Sequence, residues 1–141
     1  MEQRLTLVTL GVGDLERSRR FYAALGWREI EPRQSTVAFF QLNGIGLSLF
    51  PRDQLAKDAQ VAAGPIGFSG ITLAHNLRSE DAVDDLFAEM IAAGATSVKA
   101  PQKVFWGGYS SYVADPDGHL WELAHNPFFP LDPAGNVTLT G

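Results

Sequence analysis

The chain has 141 residues, of which 45% are hydrophobic, and this length and apolar content fit one globular domain with a sizeable core. Its net charge of −5, with no cluster of Lys and Arg, argues against a nucleic-acid partner. The absence of cysteine excludes disulfides, thiolate metal sites and thiol nucleophiles. Because no segment resembles a signal peptide or a membrane span, we expect a cytoplasmic protein without a membrane partner.

The first half predicts a strand, a helix and three further strands. Residues 5–12 alternate threonine with aliphatic residues, which is typical of a strand. Asp14 is a predicted N-cap, and Gly26 is predicted to end the following helix in the left-handed conformation. Asn43-Gly44 has the composition of a hairpin turn between two strands. The three predicted strands cover residues 27–30, 36–42 and 45–50.

The second half repeats this order. Residues 69–75 predict a strand, Ser79 is a predicted N-cap, and Gly94 is predicted to end the helix that follows. Apolar residues recur along this helix at the spacing of one buried face. We expect that face to comprise Val83, Leu86, Phe87, Met90 and Ile91. The remaining strands are predicted over residues 97–99, 109–114 and 120–125, with Trp121 and Leu123 in the core.

The two halves therefore predict an α+β domain, 1–141, made of two βαβββ repeats at about residues 1–50 and 69–126. Residues 51–68 are the predicted linker, residues 100–108 a loop, and residues 127–141 a C-terminal tail. The alternative is an ordinary α+β domain whose halves are similar by accident. The common order of helix stops and turns favours the repeat.

Two segments resemble a known superfamily. Residues 11–22 with Leu25-Gly26 resemble the first helix, and residues 115–123 the final hairpin, of the vicinal oxygen chelate proteins. That superfamily includes glyoxalases, bleomycin resistance proteins and extradiol dioxygenases. The resemblance implies two βαβββ modules whose curved mixed sheets surround a cleft. Residues 105–109 and 126–129 resemble a branch from which no activity carries over.

The resemblance also implies where a catalytic metal ion would bind. Members that do chemistry hold a divalent metal with four side chains, usually His, Glu or Gln. The matching positions in this chain are Leu7, Ser48, Gly70 and Glu122. Because only Glu122 is a competent ligand, we expect no metal ion and no cofactor. The alternatives are a metal site that recruits one of the histidines, or one that a dimer partner completes.

Four residues are the predicted ligand-binding set: Glu122, Tyr112, Trp106 and Tyr109. Strand alternation places Glu122 on the face opposite its apolar neighbours, and aromatic side chains with polar tips suit an amphipathic ligand. Glu122 is also the only catalytic candidate. The alternatives for Glu122 are a solvated strand residue, or a relic of a metal site that is now bonded to a neighbouring hydroxyl. The alternative for the aromatic residues is ordinary core packing. The charged residues of the first helix, Arg19 among them, are predicted to form a cap and a solvated face.

These observations favour metal-independent binding of a small molecule in a cleft, similar in kind to the bleomycin resistance proteins. One alternative is an enzyme, a lyase, isomerase or dioxygenase, that uses Glu122 as a base or metal ligand. Another is an interaction module whose cleft is filled by its own side chains. The resemblance and the open edges of such half-sheets predict a homodimer.

Overall fold

The computed structural model describes residues 1–139, so the last two residues of the predicted tail lie outside the described residues. It shows a mixed α+β chain that divides into two compact units, Met1–Gly67 and Phe68–Gly141. No helix among residues 1–139 is long and apolar enough to cross a membrane. The elements in order are β1 (Leu7–Val12), α1 (Leu15–Ala24), β2 (Ala38–Gln41), β3 (Gly46–Pro51), α2 (Arg52–Asp58), β4 (Leu73–Asn76), α3 (Glu80–Ala93), β5 (Thr96–Lys103), β6 (Tyr109–Ala114) and β7 (Leu120–His125).

The first unit is a three-stranded sheet in the order β1-β3-β2, with β1 parallel and β2 antiparallel to β3. The predicted cap of α1 is confirmed, because Asp14 Oδ1 accepts a hydrogen bond of 3.0 Å from the Arg17 amide. The strand predicted over residues 27–30 is reduced to one bridge between Glu29 and Phe40. Pro32, which has no amide hydrogen to donate, follows shortly after and limits the pairing.

One face of this sheet forms the core of the first unit. Its buried side chains include Leu47 and Leu49 of the central strand, and α1 covers them with Phe21 and Tyr22. The rings of Phe21 and Tyr22 meet edge to face with centroids 5.0 Å apart, a favoured aromatic geometry. Trp27 extends the cluster at 5.2 Å from Tyr22. The apolar core thus lies on the α1 side of the sheet, while Ser48, between the two leucines in β3, is buried on the other side.

The predicted linker contains a helix, α2, that was not predicted from the sequence. Gly11 of β1 faces this helix so closely that a Cβ atom there would lie 3.3 Å from the Arg52 Cα. The Arg52 guanidinium also donates a hydrogen bond to the Ala63 carbonyl at the end of the same segment. The helix is short and has no buried residue, so its apolar pattern was too weak to predict it.

The second unit is a four-stranded sheet in the order β4-β7-β6-β5, with β4 parallel to β7. The predicted cap of α3 is confirmed, since Ser79 Oγ accepts a hydrogen bond of 3.1 Å from the Ala82 amide. Gly94 ends the helix in the left-handed conformation at φ 116°. Trp121 and Leu123 are buried, as predicted.

The predicted buried face of α3 is narrower than expected. Val83 and Met90 are fully buried, whereas Leu86 and Phe87 are half-buried and Ile91 is 37% exposed. Val83 and Met90 are seven residues apart and therefore lie on one line along the helix. Ile91 is rotated by about 100° from Met90, so the prediction that it is buried is wrong.

Strand β5 is longer than predicted and runs through much of the segment assigned to a loop. It pairs with β6, but its register shifts between Ser97 and Lys99 and again between Lys99 and Gln102. Each shift breaks the alternation by which a strand is identified in a sequence. The loop that remains covers residues 104–108, where the Val104 amide donates to the Gly108 carbonyl at 3.0 Å.

One arginine contacts the main chain of the C-terminal tail. Arg78 lies between β4 and α3, and its guanidinium donates to the main-chain carbonyls of Leu131 at 3.2 Å, Asp132 at 2.6 Å and Pro133 at 3.3 Å. Its planar group offers five donors in a fixed geometry, which suits several carbonyls at once. This contact fixes the tail next to the start of α3.

An ion pair inside the first unit corrects the prediction of a solvated face on α1. Arg19 forms a 3.0 Å bond with Glu29, and only 10% of the Arg19 side chain and 4% of the Glu29 side chain are exposed. Arg19 also donates to the carbonyls of Gln34 and Val37. The arginine therefore joins α1 to the segment that precedes β2.

We predict that Arg19→Met destabilises the protein by about 3 kcal/mol, because it leaves the Glu29 carboxylate buried without its main partner. Arg20→Met is the matched control, since Arg20 is exposed on the same helix. Chemical denaturation of both variants measures the free energies of unfolding. Equal stabilities for the two variants would contradict the structural role of Arg19.

Candidate functional site

The sheet of the second unit carries a row of four residues across its strands. The register pairs Ala74 of β4 with Glu122 of β7, Glu122 with Tyr112 of β6, and Tyr112 with Lys99 of β5. Paired residues point to the same face, so these four side chains are neighbours. We call this surface the Tyr112–Glu122 face. The opposite face carries Leu123, which is buried on the side of α3.

The turn between β6 and β7 sets this alignment. The carboxylate of Asp115 is buried and accepts hydrogen bonds of 2.9 Å from the amides of Asp117 and His119. Gly118 follows at φ 86°, a conformation that favours glycine. Turn geometry determines register in a hairpin, so the predicted turn places Tyr112 opposite Glu122.

The Tyr112 hydroxyl is linked to two partners on this face. Burial raises the pKa of the Tyr112 phenol, and the charge of Glu122 and a hydrogen bond to it raise that pKa further. A hydrogen bond with Thr72 acts in the opposite direction. Glu122 therefore lies close to the phenol, as a half-buried carboxylate on the neighbouring strand.

Lys99 adds a positive charge to the same face. Its Nζ atom lies 5.9 Å from the centre of the Tyr112 ring and 3.5 Å from Ser110 Oγ. An ammonium group within about 6 Å of an aromatic face is attracted by the ring quadrupole. The face therefore presents a carboxylate, a phenol and an ammonium group in sequence. Such a surface can accept a hydrogen bond at one end and neutralise negative charge at the other.

Tyr109 does not join this group. Its hydroxyl donates a hydrogen bond of 2.7 Å to Asp84 Oδ1 on α3, which lies on the other side of the sheet. That bond, followed by burial, raises the pKa of the Tyr109 phenol. The physical reason is parity: residues 109 and 112 are three apart in one strand, so their side chains point to opposite faces.

Trp106 lies on the same side of the sheet as Tyr112, but beside the opposite end of strand β6. A Cβ atom at Gly108 would lie 1.7 Å from Trp106 Cζ3, so the indole ring covers Gly108 directly. Gly108 continues the alternation of Ser110 and Tyr112, about 13 Å from Tyr112 along the strand. The indole is 36% exposed. Of the predicted set, the structure thus groups Glu122 with Tyr112 and leaves Trp106 at a distance.

The four positions that would hold a metal ion do not fit one. Leu7 has no donor atom, and Gly70 is a glycine at φ 80° before β4. Ser48 is buried, and its hydroxyl donates to Thr9 Oγ1 at 2.7 Å. Within residues 1–139 no three His, Cys, Asp or Glu side chains are grouped so that they could bind one ion. The donor set therefore lacks the three or four ligands that a divalent site requires.

Two histidines lie on the α3 side of the sheet. His125 Nδ1 is 3.1 Å from the Leu77 carbonyl, and His75 pairs in register with Leu123. Desolvation lowers the pKa of the His75 imidazole, which favours its neutral form. Neither ring shares a face with Glu122.

Comparisons with known proteins agree on one family. The family model described as Glyoxalase/Bleomycin resistance protein/Dioxygenase superfamily matches residues 4–123. The chain is similar to metallothiol transferase FosB from Lysinibacillus sphaericus (strain C3-41), with 27% identity, covering 86% of this chain and 81% of the relative.

Solved structures show the same similarity. A glyoxalase-related enzyme from Fulvimarina pelagi is 39% identical with a TM-score of 0.90, and the match covers 99% of both chains. A lactoylglutathione lyase from Agrobacterium tumefaciens is 19% identical with a TM-score of 0.66, covering 88% of this chain and 94% of the lyase. The second likeness shows the fold alone.

We predict that the two raised phenol pKa values respond to separate carboxylates. Glu122→Gln should lower the pKa of Tyr112 and leave that of Tyr109 unchanged, because the amide removes the charge that opposes ionisation. Asp84→Asn should have the reverse effect. The ring carbon that bears each hydroxyl, followed by NMR during an alkaline titration, reports each residue separately. A joint response of both tyrosines to either variant would contradict the assignment.

Proposed function

The chain belongs to the glyoxalase/bleomycin resistance protein/dioxygenase superfamily, and on that basis we propose that it binds a small molecule on the Tyr112–Glu122 face without a metal ion. The membership confirms the resemblance of the sequence motifs. The observation that carries the proposal is the half-buried Glu122, which pairs in register with Tyr112 on the face opposite α3.

The chemistry of this pair supports binding. Binding sites combine apolar or aromatic surface with a few fixed polar groups that orient the ligand. The Tyr112 ring supplies the aromatic surface, and the Glu122 carboxylate supplies oxygens that accept hydrogen bonds. A carboxylate favours ligands that are hydrogen-bond donors at this end, whether neutral or cationic, and the net charge of −5 favours the same choice.

The donor set supports the absence of a metal ion. A single carboxylate has to compete with water for a divalent ion, and Glu122 is the one competent ligand among the four family positions. The Ser48 hydroxyl is already bonded to Thr9. We therefore propose that recognition depends on the side chains of this face and not on a metal ion.

An enzymatic role is the second candidate, and the place of Glu122 on a strand that is paired on both sides is the observation that favours it. A general base must be held within reach of the proton that it removes, and a strand with two neighbours positions the residue that carries it. In this alternative Glu122 would take a proton from a bound substrate in a lyase, isomerase or dioxygenase. Turnover that Glu122→Gln abolishes, with binding retained, would favour the enzyme over the binding protein.

We predict that Glu122→Gln weakens binding of a ligand found by thermal-shift screening by about tenfold or more, because it removes a charged acceptor while keeping the shape. Glu89→Gln is the matched control, since Glu89 is exposed on α3. Ligand titrations of the wild type and both variants give the dissociation constants. Unchanged affinity in Glu122→Gln would show that Glu122 is not an anchor.

We predict that ligand binding does not depend on a metal ion. In the same screen, the thermal unfolding midpoint and the ligand affinity should be equal with divalent ions and with a chelator. Elemental analysis of untagged protein should find metal well below one ion per chain. Near-stoichiometric zinc, nickel, iron or manganese that Glu122→Ala removes would overturn metal independence and favour the metalloenzyme.

We further propose that the protein is a cytoplasmic homodimer. Apolar side chains such as Leu7, Phe68 and Ile71 are exposed in the single chain, and pairing of two copies would cover such surface. Light scattering at micromolar concentration should give twice the chain mass of 15.3 kDa. A mass equal to one chain would contradict the dimer.

A further inference from the structure

Lys99 reaches the Tyr112–Glu122 face through an irregularity in β5. Ser97 pairs with Val113, so in a regular antiparallel ladder residue 98 would pair with Tyr112 and Lys99 with Ser111, on the α3 side. The register shift inserts Val98 as an extra residue, and Lys99 pairs with Tyr112 instead. The bulge therefore turns Lys99 to the opposite face of the sheet.

A second shift follows directly. From Lys99 opposite Tyr112, a regular ladder would place residue 101 opposite Ser110, but Gln102 takes that position. Lys99 is thus flanked by an extra residue on each side. Bulges disrupt the ladder, and they occur preferentially next to functional sites, where they redirect a side chain.

The surroundings of Lys99 leave its charge without a matching acid. The side chain is half-buried, with Nζ near the Tyr112 ring and the Ser110 hydroxyl as described above. In the part of the chain that the structure describes, Lys99 has no ion-pair partner. Glu122 stands two strands away, about 10 Å between backbones. Partial desolvation of an unmatched cation is costly, and a bound anion would offset that cost.

We propose that Lys99, whose ammonium group donates to the buried Ser110 hydroxyl, forms an oxyanion subsite for the small molecule that binds the Tyr112–Glu122 face, an inference that rests on the proposed function. The ligand class is a small amphoteric compound. Its carboxylate, phosphonate or phosphate group contacts Lys99, its body lies against the Tyr112 ring, and a hydrogen-bond donor at its other end faces Glu122. The subsite adds selectivity, because the net charge of −5 otherwise repels anions.

Two probes test the subsite in the full chain. 4-(Aminomethyl)benzoate carries an ammonium and a carboxylate at opposite ends of a ring, and benzylamine lacks the carboxylate. NMR titration that follows the Tyr112 ring signals gives both dissociation constants. We expect 4-(aminomethyl)benzoate to bind about tenfold or more tightly than benzylamine, the size of one charge-assisted hydrogen bond.

The variants identify the group responsible. Lys99→Met should remove the preference for 4-(aminomethyl)benzoate over benzylamine, and Lys99→Arg should retain that preference. Lys103→Met is the matched control, because Lys103 pairs with Tyr109, which points toward α3. Retention of the preference in Lys99→Met, or its loss in Lys103→Met as well, would overturn the subsite.

The outcomes separate this inference from the proposed function. Equal binding of both probes, with Tyr112 signals that respond and a loss of affinity in Glu122→Gln, would overturn the oxyanion subsite and leave the binding face intact. No response of Tyr112 to either probe at millimolar concentration would overturn the subsite, and the ligand screen with Glu122→Gln would then decide the proposed function independently.

Discussion

Parallel pairing between the first and the last strand of each unit is the constraint on which the rest of the structure depends. Parallel strands need a long crossover, and here the helix and the remaining strands of each unit form it. The last strand is therefore enclosed by neighbours on both sides, as β3 is between β1 and β2 and β7 between β4 and β6. Glu122 lies on such a central strand, between Ala74 and Tyr112, so its backbone is fixed on both sides.

The two units carry different polar side chains at equivalent positions of their central strands. Ser48 occupies in β3 the position that Glu122 has in β7, since each is paired with the first strand on one side and with an aromatic residue on the other. In the first unit the hydroxyls of Ser48 and Thr9 satisfy each other in a buried position. In the second unit Ala74 offers no polar group, and Tyr112 is the polar residue paired with Glu122. The polar pair of the first unit is thus bonded internally, whereas the equivalent place in the second unit holds a half-buried carboxylate.

Features that depend on neighbouring residues could be predicted from the sequence. The caps Asp14 and Ser79 act within three residues, and the final turn determines the pairing of Tyr112 with Glu122 through its own hydrogen bonds. Features that depend on insertions or distant partners could not be predicted. The placement of Lys99 depends on an extra residue in β5, and periodicity alone assigns it to the wrong face. The short α2 buries too little apolar surface to leave a recognisable pattern.

The attachment of the tail has a consequence for how this protein can diverge. Arg78 binds main-chain carbonyls of residues 131–133, and every amino acid supplies that group. The hydrogen bonds to Arg78 therefore do not depend on which side chains residues 131–133 carry, provided that the backbone conformation is unchanged. Substitutions there can alter the surface of the second unit while these contacts are kept, whereas a single change at Arg78 would remove all three of them. The tail is thus a region of the chain where new surface properties can evolve at little structural risk.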